Sequence, residues 1–136
     1  MLRNLLSNAV KYGAQGGLIE VHIVHQRAES TVSVLDRGVG IREEEARQLF
    51  EIDYRSPLTE GLVQGSGIGL FVARWLAEGM GGRIWARPRA GGGSEFGFAL
   101  RVMDVEALGA EVARGAPPVL PLPAAIEAAE SASDMP

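Results

Sequence analysis

Cysteine is absent from the 136 residues, which excludes disulfides, thiol nucleophiles and thiolate metal sites. Lysine is almost as scarce, with twelve arginines beside the single Lys11. No apolar run approaches the roughly 20 residues that a membrane-spanning helix needs, and the N-terminus lacks a signal-peptide layout. A formal net charge of −4 supplies no basic surface for nucleic acid, so no nucleic-acid partner is expected. A cytoplasmic setting fits, and membrane anchorage of a longer parent protein stays open. His22 and His25 fall on or near the polar side of an alternating stretch without metal-ligand spacing, and read as surface residues.

What is present suits one soluble domain. Hydrophobic residues at 46% and charged residues at 22% are ordinary, and the length allows a single core. The 18 glycines are bunched at 65–69, 79–82 and 91–93, as sharp turns and close backbone approaches require.

Residues 2–12 place Leu2, Leu5, Leu6, Ala9 and Val10 on one helical face and Asn4, Asn8, Lys11 and Tyr12 on another. Asparagine is a poor interior helix residue, so two on one stripe suggest a task, though a solvated polar face explains the pattern as well. Residues 18–27 and 30–36 alternate as two strands of a hairpin turning at 28–29. Asp36-Arg37-Gly38-Val39-Gly40-Ile41 follows at the strand end, where a carboxylate can accept a hydrogen bond from the exocyclic amine of a flat base. The same pattern also makes ordinary turns.

Residues 42–50 read as a short helix with Glu43, Glu44 and Glu45 in its first turn, where the dipole favours them. Residues 51–66 form a loop long enough to be a lid. Gly65-Ser66-Gly67-Ile68-Gly69-Leu70 then opens a helix whose free N–H groups could cradle phosphates. Its expected core face is Ile68, Val72, Trp75, Leu76 and Met80. Strands are expected at 83–87 and 94–102, the latter with Phe96, Phe98 and Leu100 inward, and a further helix at 104–114. The Ala/Pro-rich remainder reads as a tail, dividing the chain into 1–103 and 104–136.

Five boxes stand in order: Asn4-x-x-x-Asn8-Ala9-x-Lys11-Tyr12, Asp36-x-Gly38-x-Gly40-Ile41, the phenylalanine box Leu49-Phe50-Glu51, Gly65 to Leu70, and Gly92-Gly93-Ser94-Glu95-Phe96. Together they resemble the ATP-binding catalytic domain of sensor histidine kinases, within the Bergerat-fold (GHKL) group of ATPases and kinases. The resemblance spans about residues 2–102. It implies an α+β two-layer sandwich with a mixed, mostly antiparallel sheet covered on one face by helices. It also implies ATP and Mg²⁺ as ligands, a histidine-bearing dimerisation domain as phosphoryl acceptor, and a response regulator downstream. By that resemblance Asn8 coordinates Mg²⁺, Lys11 reaches the phosphates and Tyr12 packs near the nucleoside. Asp36 binds the adenine amine, with Gly38, Gly40 and Ile41 shaping its pocket. Tyr54 and Arg55 follow the phenylalanine box, and Arg55 is a candidate phosphate contact. Gly65, Ser66, Gly67, Ile68, Gly69 and Leu70 carry the lid and phosphate cradle, and Ser94 stands at the adenine end.

Asn4 occupies the position where hydrolysing relatives carry a glutamate base, and an amide takes no proton at neutral pH. Transfer to a partner is therefore expected over hydrolysis, with Asn4, Asn8 and Lys11 as the catalytic set. His22 precedes Ile23 and His25 precedes Gln26, whereas the family's phosphorylated histidine usually precedes an acidic residue. Neither is expected to accept phosphate, so the chain alone should not autophosphorylate. It starts almost at the first box, so an N-terminal truncation is expected. A Bergerat-type ATPase, a non-catalytic interaction module and an anti-sigma-type serine kinase remain as alternatives.

Overall fold

The computed structural model describes residues 1–13, 17–61, 65–102 and 113–115. Helix α1 covers Leu2–Gly13. The hairpin strands β1 and β2 are Glu20–His25 and Glu29–Leu35. Helix α2 is Gly69–Gly79, followed by β3 at Arg83–Pro88 and β4 at Ser94–Arg101. The sheet runs β1-β2-β4-β3 and is antiparallel throughout. It meets the expected mostly antiparallel sheet, with no parallel pair among the described residues. Both helices pack on one face, giving the expected two layers. Among the described residues no helix is long and apolar enough to cross a membrane.

Alternation in the strands decides what enters the core. Val34, Phe96 and Phe98 turn toward the helices and meet Leu5, Ala9, Leu49 and Phe50, all buried. Phe50 meets Phe96 edge to face at 6.4 Å, an arrangement the ring quadrupoles favour. On the opposite face Trp85 donates its indole N–H to Glu95 at 3.1 Å. The guanidinium groups of Arg83 and Arg87 lie 5.6 and 5.5 Å from its ring. Edge strand β1 departs from its apolar pattern. Val21 and Ile23 pair with Val34 and Val32 and so share the helix side, yet they are 44% and 70% exposed.

Two expectations fail here. The helix expected at 42–50 is two single 3-10 turns, Glu43–Glu45 and Gln48–Phe50; Leu49 and Phe50 turn inward, and Glu45 is buried as well. The core face of α2 is also rotated from the expected one. Ala73 and Ala77 are fully buried, and Leu70 packs partly against the core, while Ile68, Trp75 and Met80 are 43–53% exposed. Small side chains let α2 lie close on the sheet, a preference that hydrophobicity alone does not rank. The helix expected at 104–114 and the tail lie almost wholly outside the described residues.

Candidate functional site

A cavity of about 270 Å³ opens between α1, α2 and the long loop that leads into α2. Its α1 wall is the polar stripe of Asn4, Asn8 and Lys11, joined by Ser7 and Tyr12. These residues recur at helical spacing because Leu5 and Ala9 hold the adjacent face in the core. The far wall is the start of α2, lined by Gly67, Gly69 and Leu70. Asn4 Nδ2 donates to the Gly69 carbonyl at 2.8 Å and fixes the distance between the two helices.

Asp36 forms the deep end and is only 3% exposed. Its Oδ1 accepts the Gly38 N–H at 2.8 Å, which leaves Oδ2 to accept a hydrogen bond from a ligand. Its backbone is pinned on both sides. Asp36 N–H donates to the Ser94 carbonyl at 2.9 Å, and Arg89 Nη1 donates to the Asp36 carbonyl at 3.1 Å. Arg89 Nη2 meanwhile pairs with Glu20 at 3.1 Å, holding that carboxyl below its ordinary range chiefly through the hydrogen bond. The loop closes this tightly because residue 38 is glycine. A Cβ there would stand 1.9 Å from the Tyr12 carbonyl oxygen. Ile41, Ser94 and Phe96 complete a flat, largely apolar end around the carboxylate.

The other end is basic. Arg55 Nη2 donates to the Gly65 carbonyl at 2.6 Å. Lys11 Nζ and Arg55 Nη2 stand 3.9 and 3.6 Å from where a Gly65 Cβ would be. The opening turn of α2 lines the same cavity through Gly69 and Leu70, so two side-chain cations and a helix N-terminus meet there. The loop between them is drawn together at its ends, since Gly67, at φ +67, packs within 3.2 Å (measured from its absent Cβ) of the Asp53 backbone. Asp53 itself is left-handed at φ 60, a region aspartate tolerates.

The cavity thus gathers Asn4, Asn8, Lys11, Tyr12, Asp36, Gly40, Ile41, Tyr54, Arg55, Gly65, Ser66, Gly67, Gly69, Leu70 and Ser94 from the sequence-predicted set. Gly38 and Ile68 do not line it. Gly38 works from behind through its N–H, and Ile68 precedes α2 with its side chain 43% exposed. Sequence reasoning missed Ser7, Val39, Leu49, Ser56, Thr59 and Phe96. Ser7 was legible, standing between Asn4 and Asn8 on the same stripe. Ser56 and Thr59 had no signal, because only the folded loop turns them inward. Tyr54 also lines the cavity; burial first, and then the Glu45 charge, raise its phenol above the ordinary range, so it stays a donor.

His22 and His25 lie on β1 away from the cavity. His22 Nε2 is 3.3 Å from Glu20, and His25 shares a hydrogen bond with Ser30 at 2.7 Å. Among the described residues no group of three His, Asp or Glu side chains could hold a metal by itself.

The model of the histidine kinase-, DNA gyrase B- and HSP90-like ATPase family matches residues 1–104. An adaptive-response sensory kinase SasA of Prochlorococcus marinus is 39% identical over 105 residues, covering 76% of this chain and 28% of that protein. The mycobacterial sensor histidine kinase MprB superposes with a TM-score of 0.63 at 27% identity, covering 72% of this chain and 65% of that one. Full-length ShkA, solved in complex with AMPPNP, gives a TM-score of 0.64 at 28% identity over 76% of this chain and 21% of that one. The chain therefore spans about a quarter of the length of the curated relatives it matches first.

Proposed function

The chain belongs to the histidine kinase-, DNA gyrase B- and HSP90-like ATPase family, as an ATP-binding domain of the sensor-histidine-kinase type, and from that premise we propose that it presents Mg·ATP for γ-phosphoryl transfer to a histidine on a separate dimerisation domain, in the cytoplasm and upstream of a response regulator. The observation that carries this reading is the polarity of the cavity. A buried carboxylate stands at one end, and Lys11, Arg55 and the α2 N-terminus stand at the other. A nucleotide has the complementary polarity, with an amine-bearing base at one end and phosphates at the other.

Asp36 Oδ2 accepts the exocyclic amine while Gly38 holds Oδ1, so the base is read by one oriented oxygen. Lys11, Arg55 and the opening N–H groups of α2 balance the phosphate charge, which is most of what phosphoryl transfer asks of a protein. Asn8 suits a Mg²⁺ ion, which takes oxygen ligands and is commonly held by one or two protein groups together with phosphates and water. That ion, when bound, supplies further charge neutralisation.

Asn4 argues for transfer over hydrolysis. Its amide nitrogen is engaged with the Gly69 carbonyl, and neither amide atom can take a proton from water at neutral pH. A neutral imidazole nitrogen carries its own lone pair and attacks without a base from this chain. The test is a calorimetric titration with a non-hydrolysable ATP analogue, with and without Mg²⁺, followed by addition of a histidine-bearing dimerisation domain in trans with labelled ATP. Saturable binding that weakens without Mg²⁺, and acid-labile label on the added domain only, are expected. Label accumulating on this chain alone, or steady phosphate release without the added domain, overturns the reading.

A further inference from the structure

Asp36 has a buried acidic counterpart outside the cavity lining. Glu45 is 4% exposed, does not line the cavity, and among the described residues forms no ion pair. A carboxylate buried without a cation persists only when its oxygens are hydrogen-bonded. Ser56 Oγ lies 2.9 Å from Oε1 and 3.0 Å from Oε2, and Arg42 N–H donates to Oε1 at 3.0 Å. The Tyr54 hydroxyl lies 3.5 Å from Oε2, a weaker contact.

These partners belong to two separate walls of the cavity. Arg42 directly follows Ile41, which lines the end around Asp36. Tyr54 and Ser56 begin the long loop and line the cavity with Thr59. Ser56 carries the constraint onward, because its Oγ accepts the Leu58 N–H at 3.2 Å and its carbonyl accepts the Thr59 hydroxyl at 3.1 Å. It is itself only 4% exposed. One carboxylate therefore ties the loop after Asp36 to the first turn of the lid from behind both.

We propose that Glu45 is a positioning residue for the nucleotide cavity, anchoring the 54–59 segment through Ser56 and Tyr54 so that the lid wall is set before ligand arrives. This rests on the nucleotide reading of the cavity. The isosteric Glu45→Gln keeps an oxygen for Arg42 N–H and the Ser56 hydroxyl. Glu45→Ala removes every acceptor and leaves the Ser56 hydroxyl without its partner.

The test compares the full chain with Glu45→Ala, Glu45→Gln and Ser56→Ala by amide hydrogen exchange without nucleotide, calorimetry with a non-hydrolysable ATP analogue, and thermal melting. Glu45→Ala and Ser56→Ala are expected to speed exchange at Leu58 and Thr59, and to weaken binding, by about tenfold each. Glu45→Gln is expected to stay within about threefold of the parent chain in both. Unchanged exchange at 56–59 overturns the proposal. So does a loss of protection spread evenly over the domain with no rescue by glutamine, which marks a merely structural role. If Glu45→Ala does not fold, Ser56→Ala decides between the same outcomes. A parent chain that fails to bind the analogue sinks the nucleotide reading, and the exchange data still decide whether Glu45 anchors the lid.

Discussion

Asn4 and Gly69 are joined by a 2.8 Å hydrogen bond although 65 residues separate them in sequence. The bond spans the gap between α1 and the opening turn of α2, and so sets the width of the cavity at its basic end. Asn4→Ala removes it, at a cost of about 1 kcal/mol. For a domain of this size that lowers Tm by about 4 °C. The wider gap also weakens binding of an ATP analogue. Melting and calorimetry on the same preparation check both effects. An unchanged affinity with a lowered Tm would mean that the bond serves the fold alone.

At the deep end, Asp36 can do only one thing with Oδ2, which is to accept. If the adenine amine meets Oδ2, Asp36→Asn keeps the Oδ1 contact to Gly38 and turns an NH₂ toward the base, so two donors face one another. Guanine presents a carbonyl oxygen there instead. The substitution should weaken an ATP analogue by about tenfold or more, and should narrow the gap between ATP and GTP analogues. Competition titrations with the two nucleotides give the ratio. A parallel loss for both would place the base away from Asp36.

Glu20 and Arg89 supply a pH dependence with a definite sign. Arg89 holds the Glu20 carboxyl below its ordinary range in the folded chain, chiefly by its hydrogen bond. A carboxyl depressed on folding contributes stability above its unfolded pKa and loses it as pH falls through the folded value. Glu20→Gln should therefore be less stable than the parent chain at neutral pH, and the difference should close in acid. Urea midpoints at about pH 7 and pH 3 test this. A difference that persists at the lower pH would assign the role of Glu20 to packing.

Wherever one residue type and one period decided the matter, the sequence was readable. The α1 stripe is an example, since a helix interior gives Asn4 and Asn8 no local reason to be there. Strand β4 is another, because Phe96 and Phe98 alternate and both are 7% exposed. The face of α2 was not readable. Trp75 was read as core for its large apolar ring, yet the close approach of helix to sheet leaves it outside and admits Ala73 and Ala77. Glu45 was not readable either. Three successive glutamates at a helix start look solvated, and only the return of Ser56 from the lid makes a buried place for one of them.

Lys11 and Arg55 converge on Gly65 from different elements, one from the last turn of α1 and one from the loop. If this end holds phosphates, its contribution depends on ligand charge. Lys11→Ala should weaken an ATP analogue by about tenfold while leaving adenosine within about twofold. The loss should shrink as salt rises, because Lys11 is solvent-exposed and screened. Arg55→Ala adds a second effect, since Arg55 also bonds the Gly65 carbonyl. It should therefore loosen the loop and lower affinity even for ADP. Calorimetry with adenosine, ADP and the ATP analogue at two salt concentrations separates charge from shape. Equal losses for adenosine and the ATP analogue in Lys11→Ala would mean that the substitution damaged the cavity, and the phosphates would then have to lie elsewhere.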